Sequence, residues 1–90
     1  MVKQIRWTPD ADNAFEAIAI FINDNFSAKL AFKFADAVYK KIDILTKHPF
    51  MGRISPIDTT VRIIQVDKNH ILFYSYDNFE LVIIDIFDTR

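Results

Sequence analysis

Cysteine is absent, so neither a disulfide framework nor a thiolate-ligated metal can hold this 90-residue chain together. Glycine occurs once, at Gly52, which excludes the glycine-rich loops that cradle phosphates. No serine lies in a nucleophile elbow, and His48 and His70 have no sequence neighbours that would make a metal or catalytic pair. Hydrolase and nucleotide-binding readings therefore fall away, and no catalytic residue, metal or cofactor is expected. No segment approaches the ~18 uninterrupted apolar residues of a membrane span, and Met1-Val2-Lys3-Gln4-Ile5-Arg6 lacks the apolar run of a signal peptide. A cytoplasmic protein without membrane contact is expected. A formal net charge of -1 argues against a main business of gripping nucleic acid, since that affinity comes chiefly from Lys and Arg neutralising phosphates.

What the chain has in abundance is apolar surface. Residues of the hydrophobic classes make up 51% of it, including nine Phe, more large side chains than so small a core can hide. One domain over residues 1–90 is expected, burying about 60 to 65% of its unfolded surface and gaining stability from a partner.

The pattern begins with a strand from Val2 to Trp7. Thr8 then has the character of an N-cap, with Pro9 at the first helical position and Asp10 at the positive end of the helix. Phe15, Ile18, Ala19, Ile22 and Phe26 recur at helical spacing, which predicts a helix over Pro9–Asn25 and leaves Ile20 and Phe21 off the stripe. Ser27 caps a second helix with Ala31, Phe34, Ala35, Val38, Ile42 and Leu45 on its buried side and its lysines mostly outside. The short Asn25-Phe26-Ser27 link makes the pair an antiparallel hairpin, and His48-Pro49 ends the second helix.

Thr60–Val66, Ile71–Tyr76 and Glu80–Phe87 read as a β-meander, rich in β-branched and aromatic residues and separated by turn-forming Asp67-Lys68-Asn69 and Asp77-Asn78. A two-residue loop at Asp77-Asn78 would set Tyr76 opposite Phe79, Phe73 opposite Val82 and Ile71 opposite Ile84. One at Lys68-Asn69 would set Val66 opposite Ile71 and Ile64 opposite Phe73. One face would then hold Arg62, Ile64, Val66, Ile71, Phe73, Val82, Ile84 and Ile86, the other Val61, Ile63, Leu72, Tyr74, Leu81 and Ile83. Both faces are apolar, and one helical hairpin covers only one of them. The expected fold is α+β: an antiparallel sheet under an N-terminal helical hairpin, in the order β-α-α-β-β-β.

Arg53 and Arg62 flank the segment 54–61, and Arg90 follows the last strand. Three arginines at one cleft could hold phosphate or carboxylate groups bidentately. The plainer readings are an Arg53 ion pair with Asp58 and an Arg62 stem laid over apolar surface. Tyr74 and Tyr76 fit core positions with bonded hydroxyls. Asp85, between Ile84 and Ile86, calls for a partner such as Arg6 or Lys3.

Taken in order, Ile5-Arg6-Trp7-Thr8-Pro9-Asp10-Ala11, the two helices, Pro49-Phe50-Met51-Gly52-Arg53, Thr60-Val61-Arg62-Ile63-Ile64, Phe73-Tyr74 and Ile86-Phe87-Asp88-Thr89-Arg90 resemble the RelE/ParE toxin superfamily. The resemblance implies the toxin half of a type II toxin-antitoxin (plasmid-stabilisation) pair. It offers two branches, one that cleaves mRNA on ribosomes and a ParE-like one that poisons DNA gyrase. Arg62 and Arg90 fall where the endonucleases carry basic catalytic residues, but Ile64 and Ile71 stand where those carry Lys or Arg, and no His or Tyr follows Phe87. RNA cleavage needs a base, an acid and positive charge around the phosphate. The ParE-like branch is therefore expected, with growth arrest by gyrase inhibition; an mRNA endonuclease and a non-toxic antitoxin-binding member are the alternatives. Members commonly run a few residues past the position of Arg90, and a tail contributing to toxicity would favour the last of these. Arg53, Arg62 and Arg90 are candidates for target binding. A ParD-like antitoxin is the expected partner, with Ile64, Phe73, Val82, Ile84 and Ile86 as candidate contacts and Phe21, Phe32 and Tyr39 as a second patch. Self-association through the same surface is the alternative occupant.

Overall fold

A computed structural model describes residues 1–90. The chain runs β1 (Gln4–Trp7), α1 (Pro9–Asn25), α2 (Ala28–Lys47), β2 (Arg53–Ile54), β3 (Arg62–Asp67), β4 (His70–Asp77) and β5 (Glu80–Asp88). The five strands form one sheet in the order β1-β5-β4-β3-β2. The α+β class stands, with two corrections: β1 runs parallel to β5, so the sheet is mixed, and β2 is a short extra strand on β3.

Local chemistry sets the helix ends. Thr8 Oγ1 accepts from Ala11 N at 3.0 Å, which caps α1, and donates to Ile84 O at 2.6 Å, which ties the helix start to the sheet. Ser27 accepts from Leu30 N at 3.1 Å and caps α2 in the same way. The inner stripe of α2 is buried at Phe34, Val38, Ile42 and Leu45, as its spacing predicts, whereas α1 buries fully only Ala11 and Ile22. Phe26, expected on the α1 stripe, is exposed at the hairpin end, as are Ile20 and Phe21.

The core is a single cluster in which these helix residues meet Leu72, Tyr74, Leu81, Ile83 and Ile86. Each such aliphatic side chain stabilises by about 1.5–3 kcal/mol relative to an exposed one.

The register corrects the expected faces. The last hairpin turns at Asn78 and Phe79, both at positive φ, so Asp77 pairs with Glu80. Asparagine tolerates that backbone; Phe79 is held in it because its carbonyl accepts from Lys3 N at 2.8 Å and its ring lies under the Lys3 ammonium. A bulge then places Phe73 opposite Asp85 and leaves Ile84 as the extra residue, and another shifts β3 between Gln65 and Asp67. Ile64, Leu72 and Ile86 therefore share the helix-covered face, while Phe73 and Val82 turn to the other. The expected single apolar set of Ile64, Phe73, Val82, Ile84 and Ile86 is thus split between faces.

Candidate functional site

Gly52 lies in a loop pinned by side chains from β3 and β4. Its N–H donates to Tyr74 Oη at 2.8 Å, and the same hydroxyl donates to Pro49 O at 2.8 Å. Arg62 Nη1 donates to Phe50 O at 3.1 Å and to Gly52 O at 2.8 Å, with its guanidinium over the Phe50 ring. Four hydrogen bonds from two strand side chains thus fix the loop 49–52. A Cβ on residue 52 would lie 2.7 Å from Tyr74 Oη, 2.8 Å from its ring and 3.0 Å from Ile63 O, so only glycine fits. Tyr74 is wholly buried, and burial pushes its hydroxyl pKa up against the opposing effects of the Gly52 N–H and the Arg62 charge. The neutral hydroxyl can donate and accept at once, as the clamp requires.

The loop displays what it does not bury. Phe50, Met51, Ile54 and Ile57 are exposed, and Arg53 projects from β2 without an ion pair, since Asp58 accepts from Thr60 N and Oγ1 instead. The expected Arg53–Asp58 pair is not formed. Arg62 is occupied in the clamp, and its outer side faces a shallow hollow with Thr60, Ser75 and Tyr76.

Arg90 belongs to a different constellation. Its Nη2 and Nε bind the two Asp88 carboxylate oxygens at 2.8 and 3.2 Å, and the Asp88 pKa is lowered to about 2, chiefly by that bond and then by the Arg90 N–H. His70, 3% exposed, stands beside them with Nδ1 2.8 Å from Asp67 Oδ1 and Nε2 3.8 Å from Asp88 Oδ2. Its ring lies 4.6 Å from that of Phe34, and Nε2 has no hydrogen-bond partner. This corner borders a cavity of about 190 Å³ walled by Ile22, Phe26, Leu30 and Lys33.

The three arginines therefore do not edge one cleft; each lines a different hollow. Arg62 and the Arg90 corner lie at opposite ends of the sheet, about 17 Å apart at 3.3 Å per residue along β3. Asp85 is also placed otherwise than expected. It faces Phe73 and accepts from Ile86 N at 2.8 Å, while Arg6 bridges to Glu80 at 3.2 Å. Among the candidate antitoxin contacts, Ile86 at 2% exposure is out of a partner's reach, whereas Phe21, Phe32 and Tyr39 are well exposed. The role of His70 was not legible, since its two carboxylates come from different strands.

No side chains are grouped to hold a metal ion, and no helix is long and apolar enough to cross a membrane. A family profile described as "ParE toxin of type II toxin-antitoxin system, parDE" matches residues 5–90. The chain belongs to the ParE toxin family. No curated protein matches it significantly in sequence. Among solved structures, this ParE-family chain is similar to one from the chromosomal ParDE TA system of P. aeruginosa, with a TM-score of 0.83 and 17% identity over 99% of this chain and 98% of that one. It is similar also to a chain of the heterotetrameric YoeB-YefM toxin-antitoxin complex from Staphylococcus aureus, with a TM-score of 0.65 and 13% identity over 94% and 93%. At these identities the likeness is one of fold.

Proposed function

We propose that this ParE-family chain is the toxin of a type II pair, that it arrests growth by binding DNA gyrase, and that a ParD-like antitoxin neutralises it by covering apolar surface. The observation that carries a binding mode over RNA cleavage is the dispersal of the basic groups. Arg53, Arg62 and Arg90 lie in three hollows, Arg62 is engaged with backbone carbonyls and Arg90 with Asp88. The imidazole of His70 is buried, with Nε2 sealed from solvent, so it offers no base to a phosphodiester. The exposed Phe21, Phe32 and Tyr39 of the helical hairpin supply apolar surface of the kind an amphipathic antitoxin segment covers. Among the expected target contacts, Arg62 is held by backbone carbonyls and Arg90 by Asp88, which leaves the Arg53 guanidinium without a bonding partner.

The test is controlled expression without antitoxin in a bacterium carrying a DNA-damage-response reporter. Arrest with the reporter on is the expected result. Arrest with the reporter silent would sink the gyrase reading in favour of mRNA cleavage, and growth without arrest would leave an antitoxin-binding family member.

A further inference from the structure

Lys41 is half-buried, whereas every other lysine of the chain is exposed. Lys40 and Lys47 each bridge to an aspartate four residues earlier, Asp36 and Asp43. Lys41 has no such partner, because the positions three and four away along its side of the helix are Ala37, Val38, Ile44 and Leu45. A charge drawn partly out of water calls for a counter-charge, and no carboxylate of the chain pairs with this one. Arg53 lines the same hollow and is likewise unpaired, since Asp58 is engaged by Thr60 and the cross-strand neighbour of Arg53 is Ile63. No acidic residue lines the hollow, and its other walls include Ile63, Ile64, Ile71 and the adaptable thioether side chain of Met51. These walls converge from α2, the loop 49–52, β2, β3 and β4. An apolar recess with a few placed polar groups is the form of a small-molecule site, and about 360 Å³ lies in the usual range of roughly 300–1,000 Å³.

We infer that this hollow binds a small amphipathic carboxylate, with its charged end on Lys41 and Arg53 and its hydrocarbon over Ile63, Ile64 and Ile71. The Arg53 guanidinium can grip a carboxylate through two N–H groups, while Lys41 adds a point charge. Burial of the hydrocarbon adds affinity that a bare anion lacks. The cavity bordered by Lys33 and Arg90 is a poorer match, because Asp67 lines it and Asp88 already holds Arg90. The site does not depend on which protein the toxin attacks.

The probe is octanoate, titrated into the isotopically labelled full chain and followed by amide NMR, with octylammonium and acetate as controls. Octanoate is expected to bind saturably and to shift the amides of Arg53, Ile63, Ile64 and Ile71, with both controls weaker by about tenfold or more. The double variant Lys41→Gln/Arg53→Gln should lose about tenfold or more in octanoate affinity at unchanged thermal stability. Lys41→Arg, which keeps the charge, should stay within about threefold of the unsubstituted chain. Octylammonium binding as tightly as octanoate would leave only apolar contact, and acetate binding as tightly would leave only loose charge; either overturns the inference. Equal binding by the double variant, shifts centred on Lys33 and Arg90, or no binding would do the same. A capped Val-Glu-Val tripeptide that bound more tightly than octanoate would give the hollow to an acidic protein segment and overturn the small-molecule assignment.

Discussion

The loop at Gly52 and the corner at His70 lie at opposite ends of the same sheet and are held by different physics. At Gly52 a neutral, wholly buried hydroxyl meets two backbone groups, and every donor and acceptor of the contact is matched. At the His70 corner the Arg90–Asp88 contact is between charges on half-open side chains, and one buried ring nitrogen of His70 goes unmatched. Buried neutral bonds are costly to break because the orphaned partner stays out of water, whereas exposed ion pairs lose little when water replaces them. The first region should therefore behave as scaffold for the exposed Phe50, Met51 and Arg53, and the second as a fastening that answers to pH.

The largest effect should come from Tyr74→Phe, which keeps the ring but strips the Gly52 N–H and the Pro49 carbonyl of their partner. Each orphaned group costs about 1–3 kcal/mol, so a loss of about 2–6 kcal/mol in urea unfolding is expected. A loss below about 0.5 kcal/mol would mean that water reaches the clamp and would erase the contrast with the His70 corner. Gly52→Ala should follow at about 1–3 kcal/mol, because the added methyl would press on Tyr74 and Ile63 O, both fixed. If Gly52→Ala were neutral in thermal unfolding, the loop would be free to shift and could not position Arg53.

The sequence exposed much of this scaffold and little of the site. Thr8, Pro9 and Ser27 announce the helix starts, and the α2 stripe is buried where its period puts it, because both signals are local. The last hairpin turns one residue later than the sequence suggests, at Asn78 and Phe79, which slides the register by two and leaves the faces unchanged. A phenylalanine at positive φ has no local cause; it is held by hydrogen bonds from β1, more than 70 residues away in sequence. Two bulges, not the turn, change the faces: they carry Ile64 and Ile86 to the helix-covered side, while Phe73 and Val82 stay on the open one. The Pro-x-x-Gly-Arg stretch was visible as a feature, but its meaning depends on Tyr74, which reaches it only across the sheet. Lys41 sits among solvent-facing lysines in sequence, and only the packing of α2 against β3 places it in the same hollow as Arg53.

The smallest expected effect tests the charged side of the comparison. The Asp88 pKa is lowered from 3.8 to about 2, mainly by the Arg90 guanidinium and next by the Arg90 N–H. A carboxyl held lower in the folded chain than in the unfolded one stabilises the fold above its unfolded pKa. That contribution is lost as pH falls through the folded value, so the window runs from about pH 4 down to pH 2. Both side chains are partly exposed, with 44% and 35% of their surface open, so screening holds the contribution to roughly 0–1 kcal/mol. Arg90→Ala should therefore leave neutral stability nearly unchanged while flattening the acid limb of thermal stability between those pH values. Tyr74→Phe should leave that limb intact and lower stability at every pH across it. A steep acid limb surviving in Arg90→Ala would move the pH dependence to another carboxylate, Asp67 beside His70 being the next to replace.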